Sequence, residues 1–362
     1  MSFQDFLGNP QAVAALREML ARDGVPGSLL FTGPEGIGKK TLAMMLARAL
    51  NCERLKDDFC GECARCRKAE EMLALTREDL ARRREIKDAS RRVEGLTYFD
   101  IQLIEPITRY ILIEQIRQLR STAYTRPFEL PRRVFILDQA QAIHWQAVDL
   151  LLKVMEEPPE TTHFILVCPN PHELRATLRS RCLKVPLHPV EEAVIQSVLK
   201  TERKIPERSL TLATRAVSGS VARARRFELA DFERSRQPWV AFLDGIAGKG
   251  LSALTAADWK SLFDATKTLA ENRSELEQTL QMGYALLRDI LLTLKNGEER
   301  SLMNIDLIPR LKTWGAKLGL EGLEKLKRGL DEAYRLQTRN VNQQLGWEAL
   351  AIEIISSREA AV

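Results

Sequence analysis

Ser28-Leu29-Leu30-Phe31-Thr32-Gly33-Pro34-Glu35-Gly36-Ile37-Gly38-Lys39-Lys40-Thr41 reads as a short buried strand, a glycine-rich turn and the start of a helix. Residues 28–32 are mostly apolar, show no helical period and are bounded by Pro26-Gly27 before and Gly33-Pro34 after. From Lys40 to Leu50 the apolar positions cover most of a helix. Strand, glycine turn and helix in that order give a phosphate-binding loop its proper context. The glycines let backbone N–H groups converge on phosphates, and the lysine reaches the β and γ phosphates of a nucleotide. The candidate nucleotide-binding residues are therefore Gly33, Gly36, Gly38, Lys39, Lys40 and Thr41, with Asp138 further along.

Two departures weaken the case for magnesium-dependent hydrolysis there. The position after the loop lysine, where a Ser or Thr hydroxyl would hold magnesium, is Lys40. Thr41 comes one residue late, about 100° around the helix, and should not face the metal. Val134-Phe135-Ile136-Leu137-Asp138 is an apolar strand ending in an aspartate of the kind that holds a hydrated metal, although such an aspartate also serves simply to cap the next helix. The next residue, normally a glutamate that polarises the attacking water, is Gln139, a very poor proton acceptor. The pattern suits a nucleotide-binding or vestigial module, with room for ATP but little for its magnesium.

Just beyond the first helix stand Cys52, Cys60, Cys63 and Cys66. Three thiolates closely spaced around Gly61, with Cys52 as the fourth, suit one tetrahedral zinc ion, the alternatives being free thiols or an iron–sulfur cluster. Four protein ligands leave no open position, so the role expected is structural. Cys168 reads as plain packing.

The 362 residues suggest two or three domains. At 45% apolar and 28% charged, the composition is that of a soluble globular protein. No run matches a membrane helix, and Met1-Ser2-Phe3-Gln4-Asp5 lacks the pattern of a secretion signal, so a cytoplasmic location without membrane partners is expected. Crowded cysteines in a reducing compartment favour metal over disulfides. The 54 basic against 49 acidic residues permit nucleic-acid contact without arguing for it.

Further strands are expected at 100–104, 134–137 and 164–167, separated by helices at 114–123 and 145–155. That alternation implies an α/β fold with a mostly parallel sheet and helices on both faces. Residues 68–92 read as an exposed helical insertion with a solvated face. After residue 188 the pattern is helical, with breaks at Pro189 and Pro206 and a polar linker expected around Ser235-Arg236-Gln237-Pro238. Long amphipathic runs follow at 276–294 and 322–336. The expected division is 1–188 as a nucleotide-binding domain with a zinc module at 52–66, then 189–235 as a small helical domain and 236–362 as an all-α domain.

Leu178-Arg179-Ser180-Arg181-Cys182 follows the strand at 164–167, and Leu151-Leu152-Lys153-Val154-Met155-Glu156-Glu157-Pro158-Pro159 precedes it. Together with Glu114-Gln115-Ile116-Arg117, the cysteine knuckle, and Asn340-Val341-Asn342 before Leu345 and Glu348-Ala349-Leu350, these segments resemble the clamp-loader branch of the AAA+ ATPases. The resemblance covers essentially the whole chain outside 68–92. It implies an AAA+ P-loop domain with an inserted zinc knuckle, a helical lid and a C-terminal collar in a ring of five subunits. The implied partners are gamma/tau and delta subunits, primed DNA and, indirectly, a sliding clamp, within the DNA polymerase III holoenzyme. It also implies that Arg181 acts in trans as an arginine finger on a neighbour's ATP. Lys40, Gln139 and Gly219-Ser220-Val221-Ala222-Arg223, where Ala222 stands in place of the motor's sensor arginine, fit a non-motor subunit with no independent catalysis. A gamma/tau-like motor and a nucleotide-sensing zinc protein outside replication are the rival readings, and a local carboxylate is the rival partner for Arg181.

Overall fold

The computed structural model describes residues 2–88, 90–271, 276–295, 298–336 and 341–360. These fall into two compact units, the first made of residues 1–195 with 219–223 and the second of 196–218 with 224–362.

The first unit contains, in chain order, α1 (Pro10–Ala21), β1 (Ser28–Thr32), α2 (Lys39–Ala49), α3 (Ala64–Glu85), β2 (Ile101–Ile104), α4 (Ile113–Ala123), β3 (Arg133–Leu137), α5 (Trp145–Glu156), β4 (Thr162–Cys168), α6 (Ala176–Arg179) and β5 (Leu183–Pro186). The strands form one sheet in the order β2-β3-β4-β1-β5, and every pairing is parallel. The strands read as unbroken apolar runs because both faces of the sheet are covered. Leu29, Phe31, Val134, Ile136, Ile165 and Val167 pack with residues of α1, α2 and α3. The alternate positions, Leu30, Phe135, Leu137, Phe164 and Leu166, pack with residues of α4 and α5. The expected α/β architecture and its strands and helices are present, each within two residues of the expected bounds. β5 is an addition: only Val185 of its four residues is buried, so it carries no apolar run to announce it.

Two sequence readings need correction. Of residues 68–92, those up to Glu85 are helical as part of α3, but the helix is not simply a solvated face. Cys66, Ala69, Met72, Leu73 and Leu80 enter the core, and Arg83 is buried with its guanidinium donating to the carbonyls of Arg92, Glu94 and Gly95. The charges that dominate the segment hide a sparse apolar stripe. The stretch 235–238 is not a linker either: it lies inside a helix that carries Pro238 and buries Arg236, whose guanidinium binds Asp306 and Asn304.

That helix is α10 (Leu229–Ile246), which follows α7 (Glu192–Thr201), α8 (Glu207–Ala216) and α9 (Val221–Arg226). It is followed by α11 (Ala256–Glu271), α12 (Leu276–Leu294), α13 (Ile308–Leu336, interrupted at Gly319) and α14 (Gln343–Ala360). The core of the second unit is organised around Trp239, Phe242 and Trp347, three rings in mutual edge contact at 5.2 to 6.1 Å. Leu345 and 348–350 lie on α14, whereas Asn340 is outside the described residues. No described helix is long and apolar enough to cross a membrane.

One buried pair fixes how β2 and β3 begin. Asp100 accepts backbone N–H bonds from Phe128, Glu129 and Leu130 and a bond from Arg133 at 3.0 Å, both side chains being 1% exposed. Arg133 also donates to the carbonyls of Thr125 and Arg126. Burial opposes ionisation of Asp100, but the three amides and Arg133 outweigh it and hold its pKa below the ordinary range. Asp100→Ala strands a buried guanidinium and is expected to cost about 3–5 kcal/mol in urea denaturation. Because the folded pKa lies below the unfolded one, the carboxylate's contribution is fully present above about pH 4 and is lost as pH falls through the folded value. The stability difference between Asp100→Ala and the parent chain should therefore narrow on acidification; a gap that does not change with pH would refute this account of the pair.

Candidate functional site

The phosphate loop occupies residues 33–38 between β1 and α2, with Gly33, Gly36 and Gly38 at φ of 134°, 75° and 100°. At Gly36 the requirement for glycine is double. The backbone is left-handed, and a Cβ would run into the Ser220 hydroxyl. The Gly36 carbonyl accepts bonds from Ser220 Oγ at 2.9 Å and from the Ala222 N–H at 3.1 Å, so residues 219–223 are fastened to the loop. Arg223 is exposed.

Lys39 is buried, and its ammonium donates to the Gly33 and Pro34 carbonyls at 2.6 Å each. Burial pushes its pKa below the ordinary value against the opposing charges of Asp138 and Glu35. Lys40 Nζ pairs with Glu105 and lies 3.5 Å from Asp138 Oδ2. Glu105 follows β2 directly as Asp138 follows β3, so parallel pairing brings the two carboxylates to the same edge of the sheet. Arg84, from the last turn of α3, donates to the other Glu105 oxygen at 2.7 Å. Burial raises Glu105, but hydrogen bonds and charge from Lys40 and Arg84 outweigh it, and its pKa is depressed. Asp138 is raised, chiefly by burial and further by the charge of Glu105, with Lys40 only partly compensating. Thr41 is exposed. Gln139 has φ of 54°, sparsely populated for a residue with a side chain, and its N–H binds Asp138 Oδ1 at 3.0 Å.

The sequence reading placed Lys39, Lys40 and Asp138 in one site, and they do converge. It missed Glu105 and Arg84. Glu105 had a signal, an apolar strand ending in an acid just as Val134–Asp138 does. Arg84 had none, because a helix rich in arginine says nothing about which one reaches a distant carboxylate.

Arg181 stands apart from this cluster, after α6. It is exposed, and its guanidinium binds Glu156 Oε1 at 2.5 Å and the Thr177 carbonyl at 3.0 Å. The local carboxylate partner weighed from the sequence is therefore present. Cys182 donates to the Leu178 carbonyl, burial pushes its thiol up to about 12, and buried Cys168 donates to the Asn170 carbonyl.

The four sulfurs of Cys52, Cys60, Cys63 and Cys66 lie within 4.8 Å of one another. Backbone N–H groups of Leu55, Cys63 and Cys66 point at three of them, at 3.3 to 3.4 Å. Burial opposes ionisation of Cys63, but hydrogen bonds from the Glu53 and Cys66 backbone and from the Cys66 and Cys60 side chains outweigh it and lower its pKa to about 6. Clustered soft donors supported by amides fit a metal ion.

A parallel sheet with a glycine loop between β1 and α2, beside two strand-end acids, defines a P-loop nucleotide-binding domain. The profile of the family described as "DNA polymerase III, delta subunit" matches residues 8–191, half of the chain, and the chain belongs to that family, within the clamp-loader group of AAA+ proteins. It is 24% identical over 339 residues to DNA polymerase III subunit delta' of Bacillus subtilis, covering 92% of each chain. It is also 26% identical over 363 residues to subunit tau of the same organism, covering 97% of this chain and 56% of tau. A match at 29% identity over 199 residues, to subunit gamma of Buchnera aphidicola, covers 55% of this chain and 48% of gamma. The chain spans about half the length of the gamma and tau relatives.

If the cysteine cluster holds one metal ion, Cys63→Ser should lose about one equivalent of tightly bound metal and unfold at lower temperature, as metal binding adds to folding free energy. Elemental analysis of the purified chain checks this. Equal metal content in both proteins would remove the cluster as a metal centre.

Proposed function

We propose that this chain is a delta-prime-like stator of the bacterial DNA polymerase III clamp loader, a non-motor subunit that helps load a sliding clamp onto primed DNA during replication. What carries the reading is the condition of its own site: Lys40 lies on the carboxylates that a hydrolytic site would give to magnesium, and Gln139 replaces the general base. An exposed Arg181, in contrast, is available to another molecule once it leaves Glu156. In this reading Arg181 reaches the γ-phosphate of ATP bound to an adjacent gamma or tau motor and stabilises its developing charge, a contribution of about three to five orders of magnitude where fingers have been measured. Exposed ion pairs are worth about 0–1 kcal/mol, so surrender of the Glu156 contact is a small obstacle.

The cysteine cluster is read as a structural zinc site, closed by four thiolates and without a catalytic position. Residues 189–235 would form the lid and 236–362 the collar of a five-subunit ring, the two blocks being joined through α10 and not by a flexible linker. Contacts to DNA would fall on phosphates and weaken with salt. Similarity to delta' over 92% of both chains supports the stator assignment, whereas similarity to tau over 97% of this chain keeps a motor as the rival reading.

The deciding comparison is DNA- and clamp-stimulated ATP hydrolysis by the reconstituted loader containing Arg181→Ala or Lys39→Ala in this chain. Arg181→Ala is expected to lower turnover at the adjacent motor by at least about a hundredfold, with Lys39→Ala close to the parent. The reverse pattern would make this chain a motor. Failure of the chain to assemble with gamma or tau and delta would place it outside replication.

A further inference from the structure

Magnesium does not fit this site as it is built. In a hydrolytic phosphate loop, a hydroxyl directly after the loop lysine and a strand-end carboxylate share a hydrated divalent ion. Here the first position is Lys40, and its own ammonium reaches the second, Asp138 Oδ2, at 3.5 Å while pairing with Glu105. The carboxylates are nearly enclosed, with side-chain exposures of 9% for Glu105 and 17% for Asp138, but Lys40 keeps 35%. Glu105 and Asp138 thus share the one ammonium, which stays partly exposed. On the far side of Glu105, Arg84 binds Oε2 at 2.7 Å and the Pro106 carbonyl at 3.1 Å. Lys40 and Arg84 together neutralise Glu105 and Asp138. A divalent ion entering here would meet an ammonium already seated on its ligands, and in a partly buried site that repulsion is not screened as it is in water. Lys39 lies in the same loop with its ammonium on the Gly33 and Pro34 carbonyls, contacts that a phosphate would replace.

We propose that Lys40 Nζ is a built-in counter-cation, so that this loop takes the polyphosphate of a nucleotide as the free anion and not as its magnesium complex. Arg84 acts as a positioning residue by holding Glu105, and with it Lys40, in place. Magnesium then competes for the ligand, because it chelates the oxygens that Lys39 and Lys40 would bind. The inference rests on the proposed nucleotide cradle and not on Arg181. Failure of the stator reading would appear in the reconstituted loader, and failure of this one in the isolated chain.

The test is titration of a fluorescent ATP analogue into the purified full-length chain, once in EDTA and once in excess Mg2+. The parent chain is expected to bind at least as tightly in EDTA. Lys40→Thr, which restores the hydroxyl and frees Asp138, should reverse the preference and bind about tenfold more tightly with Mg2+ than without it. Mn2+ paramagnetic resonance in the presence of ATP gives a second readout: protein-bound Mn2+ should be present with Lys40→Thr and absent with the parent. Lys40→Met, which keeps the apolar stem, should weaken binding in EDTA about tenfold and serves should Lys40→Thr fail to fold. A parent chain that needs Mg2+ to bind, holds Mn2+ with ATP, or binds the analogue in neither condition would overturn the proposal.

Discussion

The ion pair from Lys40 to Glu105 and Asp138 determines what the rest of the first unit can do. Everything else a phosphate loop requires is in place: a buried central strand, left-handed glycines, a helix opening at Lys39, and two acids delivered to one sheet edge by parallel pairing. One residue, standing where a hydroxyl would hold magnesium, turns that arrangement from a metal site into an internal salt bridge. The ion pair is local, joining the first turn of α2 to the ends of β2 and β3.

Several contacts brace the first unit. The sheet is buried on both faces, and Asp100 with Arg133 ties the starts of two strands to the turn at 128–130. Ser220 and the Ala222 amide fasten residues 219–223 to the loop itself. α3 begins at the cysteine cluster, with Cys63 at its cap and Cys66 in its first turn, and ends at Arg84 on Glu105. A single helix therefore spans the distance between the candidate metal centre and the nucleotide cradle.

Much of this was legible in the sequence because the signals were dense and local. Apolar runs punctuated by glycine and proline gave the strands, and cysteine spacing gave the cluster. The polar features failed where local pattern and tertiary use diverge. α3 looked solvated because the six arginines within it outnumber its buried apolar stripe, yet Arg83 is buried on backbone carbonyls and the exposed Arg84 reaches Glu105. Residues 235–238 looked like a linker because Ser, Arg, Gln and Pro favour breaks, but Arg236 finds Asp306, a partner that no local window contains. β5 escaped because a four-residue edge strand with one buried side chain has no period to detect. Glu105 was overlooked although it repeats the strand-end acid of Asp138, since only the pairing of β2 with β3 reveals that the two meet.

In the proposed reading this chain works on a neighbour's nucleotide while its own site is closed to magnesium chemistry. This is tested most directly by trapping the reconstituted clamp loader with ADP and aluminium fluoride and determining its structure. The account predicts the fluoride in the adjacent motor, with Arg181 released from Glu156 and in contact with it, and Lys40 still on Glu105 and Asp138. Aluminium fluoride with magnesium in this chain's own loop, beside Lys39, would contradict it.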